Sequence, residues 1–302
     1  MATHNHGRWG CACWGAEDEL GAANLLTPEK RLAALRSIET GQVFDLAHVF
    51  GAGAPNMAPN QPPFLMAMWS TWRNAIRRRR ALGITNDAGV NVERIEMTTH
   101  VGTHIDALGH VSSGELLYNN IPAAEVMTDW GLTRLGIDRA PPMITRGLLL
   151  DLAGLDGGPY LEPGRVVTPT ELQHAAEAAG LAIEPGDIVL IRTGWGRWFD
   201  VDNARYTGGE PGIDTPAARW LTAQGVVAIG ADTMALEVLP NPDHTKALPV
   251  HQHCLAEAGV HIIENLALEE LAAARVYRFC LVVLPPKIRG ATGAPVRPVA
   301  IV

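Results

Sequence analysis

Between residues 147 and 285 the chain alternates short apolar runs with capped helical stretches, and that alternation leaves few folds open. GLLLDLA (147–153), GDIVLIRTG (186–194), VVAIGAD (226–232), VHIIENLA (260–267) and RVYRFCLVVLP (275–285) read as buried strands. Between them, TPTELQHAAEAAG (168–180), TPAARWLTAQG (215–225), PVHQHCLAEAG (249–259) and LEELAAA (268–274) read as helices, with Thr168 as an N-cap and Gly180 as a stop. Upstream, Thr27 is expected to cap a helix that starts at Pro28 and stops at Gly41, followed by a strand in QVFDLAHVF (42–50). The pattern predicts one α/β domain over residues 1–302, with a partly mixed sheet. Residues 51–85 show little period and are expected to form a long loop, a length usually given to lids or binding segments.

The composition excludes several classes. A net charge of −8 provides no global basic field for nucleic acid or an anionic membrane, and Arg77 to Arg80 read as a solvated local cluster. The four cysteines, Cys11, Cys13, Cys254 and Cys280, show neither zinc-knuckle spacing nor a disulfide framework. The opening MATHNHGRWG has no signal-peptide pattern, and no apolar run reaches membrane-spanning length. A cytoplasmic protein with a small-molecule substrate, and with no nucleic-acid or membrane partner, is the expectation. No glycine-rich nucleotide loop follows a strand.

TTHVGTHIDALGHV (98–111) concentrates His100, His104, Asp106 and His110. A helix would put His100 and His104 on one face, but Val101, Gly102, Thr103 and Ile105 are poor helix formers. In a strand, residues 100, 102, 104 and 106 share a side, with the two histidines roughly 13 Å apart along a straight run. Gly102 is expected to bend that strand and leave room for an ion. Imidazole nitrogens plus a carboxylate suit Zn²⁺, Mn²⁺ or Fe²⁺, and three such ligands leave positions open for water, as catalytic sites do. Thr103 either orients a ligand through its hydroxyl or simply fits a strand. Trp9, Trp14, Trp69 and Trp72, with Phe64 and Met66, are candidates for an apolar pocket wall, and Trp14, Phe64 and Trp69 are taken as substrate-binding candidates.

HVGTHIDALGH resembles the signature H-x-G-T-H-x-D-x-P-x-H of the metal-dependent cyclase hydrolase family, which includes bacterial kynurenine formamidase and isatin hydrolase. Leu108 stands where the best-known members have proline. RWG (8–10), DELGAANLLTPEK (18–30), GDIVLIRTGW (186–195) and VHQHCLAEAGVHIIENL (250–266) extend the resemblance. It implies a barrel-like core of the swivelling β/β/α type. It also implies a homodimer or homotetramer, with residues 1–25 as an arm toward a neighbouring subunit. One or two divalent ions per chain, Zn²⁺ or Mn²⁺, are implied too. By the same resemblance His100, His104 and Asp106 hold a first ion, and Asp106 bridges to a second held by His110, His251 and Glu264. His251 is favoured over His253, since 200° of helical phase separates them and only one faces the site. With one ion, His110 is free for acid–base work. The implied reaction is hydrolysis of an amide, lactam, formamide, lactone or ester. Water activated by the ion attacks the carbonyl and a protonated His110 acts as general acid. A lyase or dehydratase on the same ion, or a metal-binding module, is the alternative. His174 and His261 are read as structural or surface residues.

Overall fold

Four strands of the alternating region lie side by side in chain order. Met143–Asp151, Ile188–Arg192, Ala228–Ala231 and His261–Glu264 pair in parallel. Each carries an apolar run, as strands buried on both faces do, with polar residues at the ends of three of them. The crossovers run through Pro169–Ala178, Thr215–Ala223 and the winding that starts at Pro249, and these helices pack on one another in succession. The computed structural model describes residues 13–302 apart from 58 and 60. Trp9, Cys11 and the first twelve residues of the expected arm lie outside the described residues.

Antiparallel strands extend this unit at both ends to nine, giving the mixed sheet expected. Their order is Val43–Asp45, Val299–Ile301, Arg278–Val283, the four parallel strands, His104–Asp106 and Gly293–Pro295. The sheet curls into a half-barrel. The curl shows where the chain leaves the edge strand Val43–Asp45: Leu46 N–H donates to Pro298 O, and Ala267 N–H donates to Leu46 O, across from the far half of the sheet. Among the described residues no helix is long and apolar enough to cross a membrane.

Local chemistry sets the helix ends. Thr168 and Glu171 form a reciprocal capping box ahead of Pro169–Ala178. Thr27 Oγ1 accepts from Lys30 N–H to start Pro28–Arg36, which ends five residues before Gly41 rather than at it. The last winding differs more. It is α-helical only over Pro249–His251 and continues with π-type i→i+5 bonding over Gln252–Ala258.

The expected loop at 51–85 is a correction. Leu65–Ser70 and Val92–Glu96 form a two-stranded antiparallel ribbon, with the helix Trp72–Ala81 between them. Nearly every ribbon residue is exposed, so no inside–outside alternation marks it in the sequence. Arg78 bonds Ser70 Oγ, Arg79 bonds Ala88 O and Arg80 pairs with Asp87, which binds most of the arginine cluster locally. The described part of the N-terminal segment docks on its own chain. Tyr118 Oη–H donates to Asp18 at 2.8 Å, and Gly21 sits so close to Gly259 that a Cβ would lie 2.2 Å from its carbonyl oxygen.

The capping box gives a direct test. Thr168→Ala is expected to lower unfolding stability by about 1 kcal/mol in urea titration. Burial pushes the Glu171 carboxyl up, but Arg165 and Thr168 outweigh it and hold it down at about 2. Its contribution is therefore complete above pH 4.5 and is lost as pH falls toward about 2.

Candidate metal centre

The inner face of the curled sheet assembles the site. Antiparallel register sets Glu264 opposite His104 and Ile262 opposite Asp106, so His104, Asp106 and Glu264 share one face. His100 is not on that strand. Residues 99–103 are a turn, and Gly102 takes a left-handed φ of 63°. A Cβ at Gly102 would lie 2.4 Å from the Phe50 ring, so its open side admits Phe50 and not an ion, contrary to the expectation. The turn returns His100 to the strand it precedes, which removes the 13 Å span a straight strand would impose. A second turn, closed by His110 N–H donating to Ala107 O, stacks His110 on His100 with ring centroids 3.9 Å apart. Leu108 points away into the core.

Asp106 lies at the centre. His100 Nδ1 is 2.8 Å and His104 Nε2 is 3.6 Å from its Oδ1, and His251 Nε2 is 3.8 Å from its Oδ2. Glu264 faces both remaining histidines at 3.1 Å, Oε2 toward His104 Nε2 and Oε1 toward His251 Nε2. Two compact triads share Asp106: His100, Asp106 and His110, and His104, Asp106 and Glu264, each with donor atoms within 4.8 Å of one another. His100 and His104 remain neighbours, with ring centroids 5.1 Å apart and both facing Asp106 Oδ1.

The donor set fits a cation. His104 Nε2, both Asp106 oxygens and Glu264 Oε1 are buried, and none makes an aligned hydrogen bond among the described residues. Buried carboxylate oxygens left in that condition are costly, and a divalent ion satisfies them. The residues that would hold it are His100, His104, Asp106, His110, His251 and Glu264. Burial works against the Asp106 charge, but His110 and His100 outweigh it and hold the carboxyl far below its ordinary range. Burial and Asp106 both push Glu264 up, and the imidazoles of His104 and His251, each 3.1 Å away, bring it below its ordinary value. Burial likewise opposes charge on His104 and His251, yet Glu264 raises the first, and Glu237 and Glu264 raise the second. Burial pushes His110 down to about 4, so its ring is neutral near pH 7 and must take up a proton before it can donate one.

Other expected residues fall as follows. His253 bonds Glu257 and Thr222 at 2.9 Å and faces the neighbouring helix, leaving His251 in the site. Phe64 is buried with Phe50 and Val101 behind the His100 turn. Trp69, expected in a pocket wall, is 76% exposed on the ribbon, and Trp72 and Met66 are also exposed. Trp14 is half-buried in the docked N-terminal segment. Thr103 serves structure, accepting from His48 N–H and donating to the Asn265 carbonyl. His261 lies on the opposite face and donates to Asp106 O at 2.8 Å. Three supporting residues escaped the sequence reading. Glu237 holds His251 Nδ1 at 2.7 Å, Thr292 Oγ1 meets His100 Nε2 at 3.0 Å, and Asn265 Nδ2 donates to the Gly102 carbonyl that accepts from His104 Nδ1–H. Only Asn265 carried a signal, its place beside Glu264 in IIENL.

Comparison with known proteins points to one family and one fold. Residues 44–238 match the model of the family described as "Putative cyclase". A kynurenine formamidase of Bordetella petrii is 28% identical over 217 residues, 71% of this chain and 82% of that protein. One of Polaromonas naphthalenivorans is 29% identical over 208 residues, 69% of this chain and 73% of that protein. A crystal structure of a novel cyclase superposes with a TM-score of 0.87 at 34% identity, covering 99% of this chain and all of that one (100%). An isatin hydrolase bound to the product analogue thioisatinate shares the fold, with a TM-score of 0.66 at 21% identity over 91% of this chain and 99% of that one.

The two neighbouring histidines separate experimentally. His251→Ala is expected to lower the zinc retained per chain after dialysis, measured by elemental mass spectrometry, whereas His253→Ala retains the wild-type content. Equal retention by both variants would remove His251 from the ligand set.

Proposed function

The chain belongs to the cyclase family, and we propose that it is a metal-dependent hydrolase of a C–N bond (amide, formamide or lactam) or a C–O bond (lactone or ester) in a small molecule. The single observation that carries this reading is the set of buried, unbonded donor atoms of His104, Asp106 and Glu264 converging beside three further imidazoles. The relatives named for kynurenine formamidase and the fold neighbour named for isatin hydrolase support a small C–N substrate. Zinc or manganese, one or two ions per chain, suits the nitrogen and oxygen donors.

A divalent ion held by these residues would supply acidified water near neutral pH and polarisation of a carbonyl oxygen. The chain's own residues do the rest. Asp106 and Glu264 keep negative charge among the buried imidazoles. With a single ion bound, His110 is not needed as a ligand; neutral and held by its stack on His100, it would receive the proton of the attacking water and pass it to the departing nitrogen or oxygen. The backbone carbonyl of Gly102 holds Nδ1–H of His104, which leaves Nε2 bare toward the site.

The proposal includes a homo-oligomer. Both faces of the ribbon are open to solvent in one chain, with Leu65 54% and Trp69 76% exposed, and a lone two-stranded ribbon is marginal in water. Residues 65–96 carry six arginines against three acids, within a chain of net charge −8, so the ribbon complements a second copy electrostatically. Light scattering on the eluting protein is expected to give the mass of a dimer or tetramer, and Met66→Lys with Trp69→Lys to shift it toward the monomer.

Turnover of N-formyl arylamines and cyclic aryl amides tests the activity. Chelation is expected to abolish it, and zinc or manganese to restore it. His104→Ala is expected to lose metal and more than about 100-fold in kcat/KM. A His104→Ala enzyme with wild-type turnover would overturn the reading.

A further inference from the structure

Glu237 lies outside every motif, yet it is fully buried against the site (0% exposed). Its Oε1 accepts Nδ1–H of His251 at 2.7 Å and the His251 backbone N–H at 3.1 Å, and its Oε2 faces the Val250 N–H at 3.5 Å. One carboxylate therefore grips the ring and the backbone of a single histidine. With Nδ1 engaged, Nε2 is the nitrogen left facing Glu264 Oε1 at 3.1 Å and Asp106 Oδ2 at 3.8 Å.

We propose that Glu237 is a positioning residue that locks His251 with Nε2 turned into the site and sets how tightly this half of the site holds a divalent cation. The inference rests on the metal-dependent reading above. His104 provides the internal contrast. Its Nδ1–H goes to the uncharged Gly102 carbonyl at 2.8 Å, which Asn265 Nδ2 also bonds at 3.0 Å. A carboxylate behind an imidazole makes it a more basic ligand than a carbonyl does. The same residue adds charge. Asp106, Glu264 and Glu237 place three carboxylates among imidazoles, while buried Arg192 is already committed to Asp151 and Glu269. One divalent ion leaves that cluster net negative, and a second more than offsets it, so Glu237 favours double occupancy.

The test uses the full chain, stripped with chelator and titrated with Zn²⁺ against a chromophoric competitor, then refilled with Co²⁺ for visible spectroscopy. Glu237→Gln keeps the shape and an acceptor but not the charge. It is expected to hold its weaker zinc about 10–100-fold less tightly and to change the Co²⁺ band. Glu237→Leu, which removes the acceptor as well, is expected to lose more. Circular dichroism and melting of the metal-free variants show whether they fold. If the Leu variant does not fold, the Gln variant decides alone. Glu237→Gln with wild-type zinc affinity and an unchanged Co²⁺ spectrum would overturn the role of Glu237 while leaving the metal site intact. Wild-type protein that takes up no divalent ion would overturn the metal-dependent reading itself, and this inference with it.

Discussion

Asp106, a fully buried carboxylate that no lysine or arginine pairs among the described residues, is the constraint around which this molecule is organised. Burying a charge is expensive unless opposite charge or donors meet it. Here only imidazoles do so, from the turn before its strand, the strand itself, the turn after it and a distant helix start. The curled sheet lets those four sources reach one point, because its far edge brings Glu264 alongside His104 in register.

Other buried acids show that burial alone makes no such centre. Asp232 accepts from the backbone N–H groups of Thr193 and Gly194 at 2.8 and 2.7 Å, and Glu210 accepts from those of Met234 and Ala235. Both fasten loops at strand ends. Burial raises both, Asp232 to about 6, despite those backbone bonds. Asp106 and Glu264 move the opposite way because imidazoles face them. The difference lies in what faces each carboxylate, backbone amides at Asp232 and Glu210 and imidazoles at Asp106 and Glu264.

The support around the ligands is equally specific. Asn265, at a left-handed φ of 55°, follows Glu264 directly and bonds the carbonyl that orients His104. Tyr206 donates to Asn265 in turn, at 2.6 Å. Thr103, Asn265 and His48 thus tie the turn carrying His100 to the end of the strand carrying Glu264. Ligands on rigid strands are aimed by register, and those on turns by this network.

Legibility in the sequence follows locality. The parallel strands announced themselves because both their faces are buried, and the helix starts because a cap acts within three residues. The ribbon at 65–96 was silent because exposure on both faces leaves no periodic trace. That the histidines and Asp106 of residues 100–110 form a candidate ligand cluster was legible from spacing and residue type alone. Tertiary structure decided the rest: that Gly102 makes room for Phe50, that His251 and not His253 turns inward, and that Glu237 stands behind it. Those outcomes depend on which side chain meets which across many residues, a matter of packing and helix phase that no local pattern encodes.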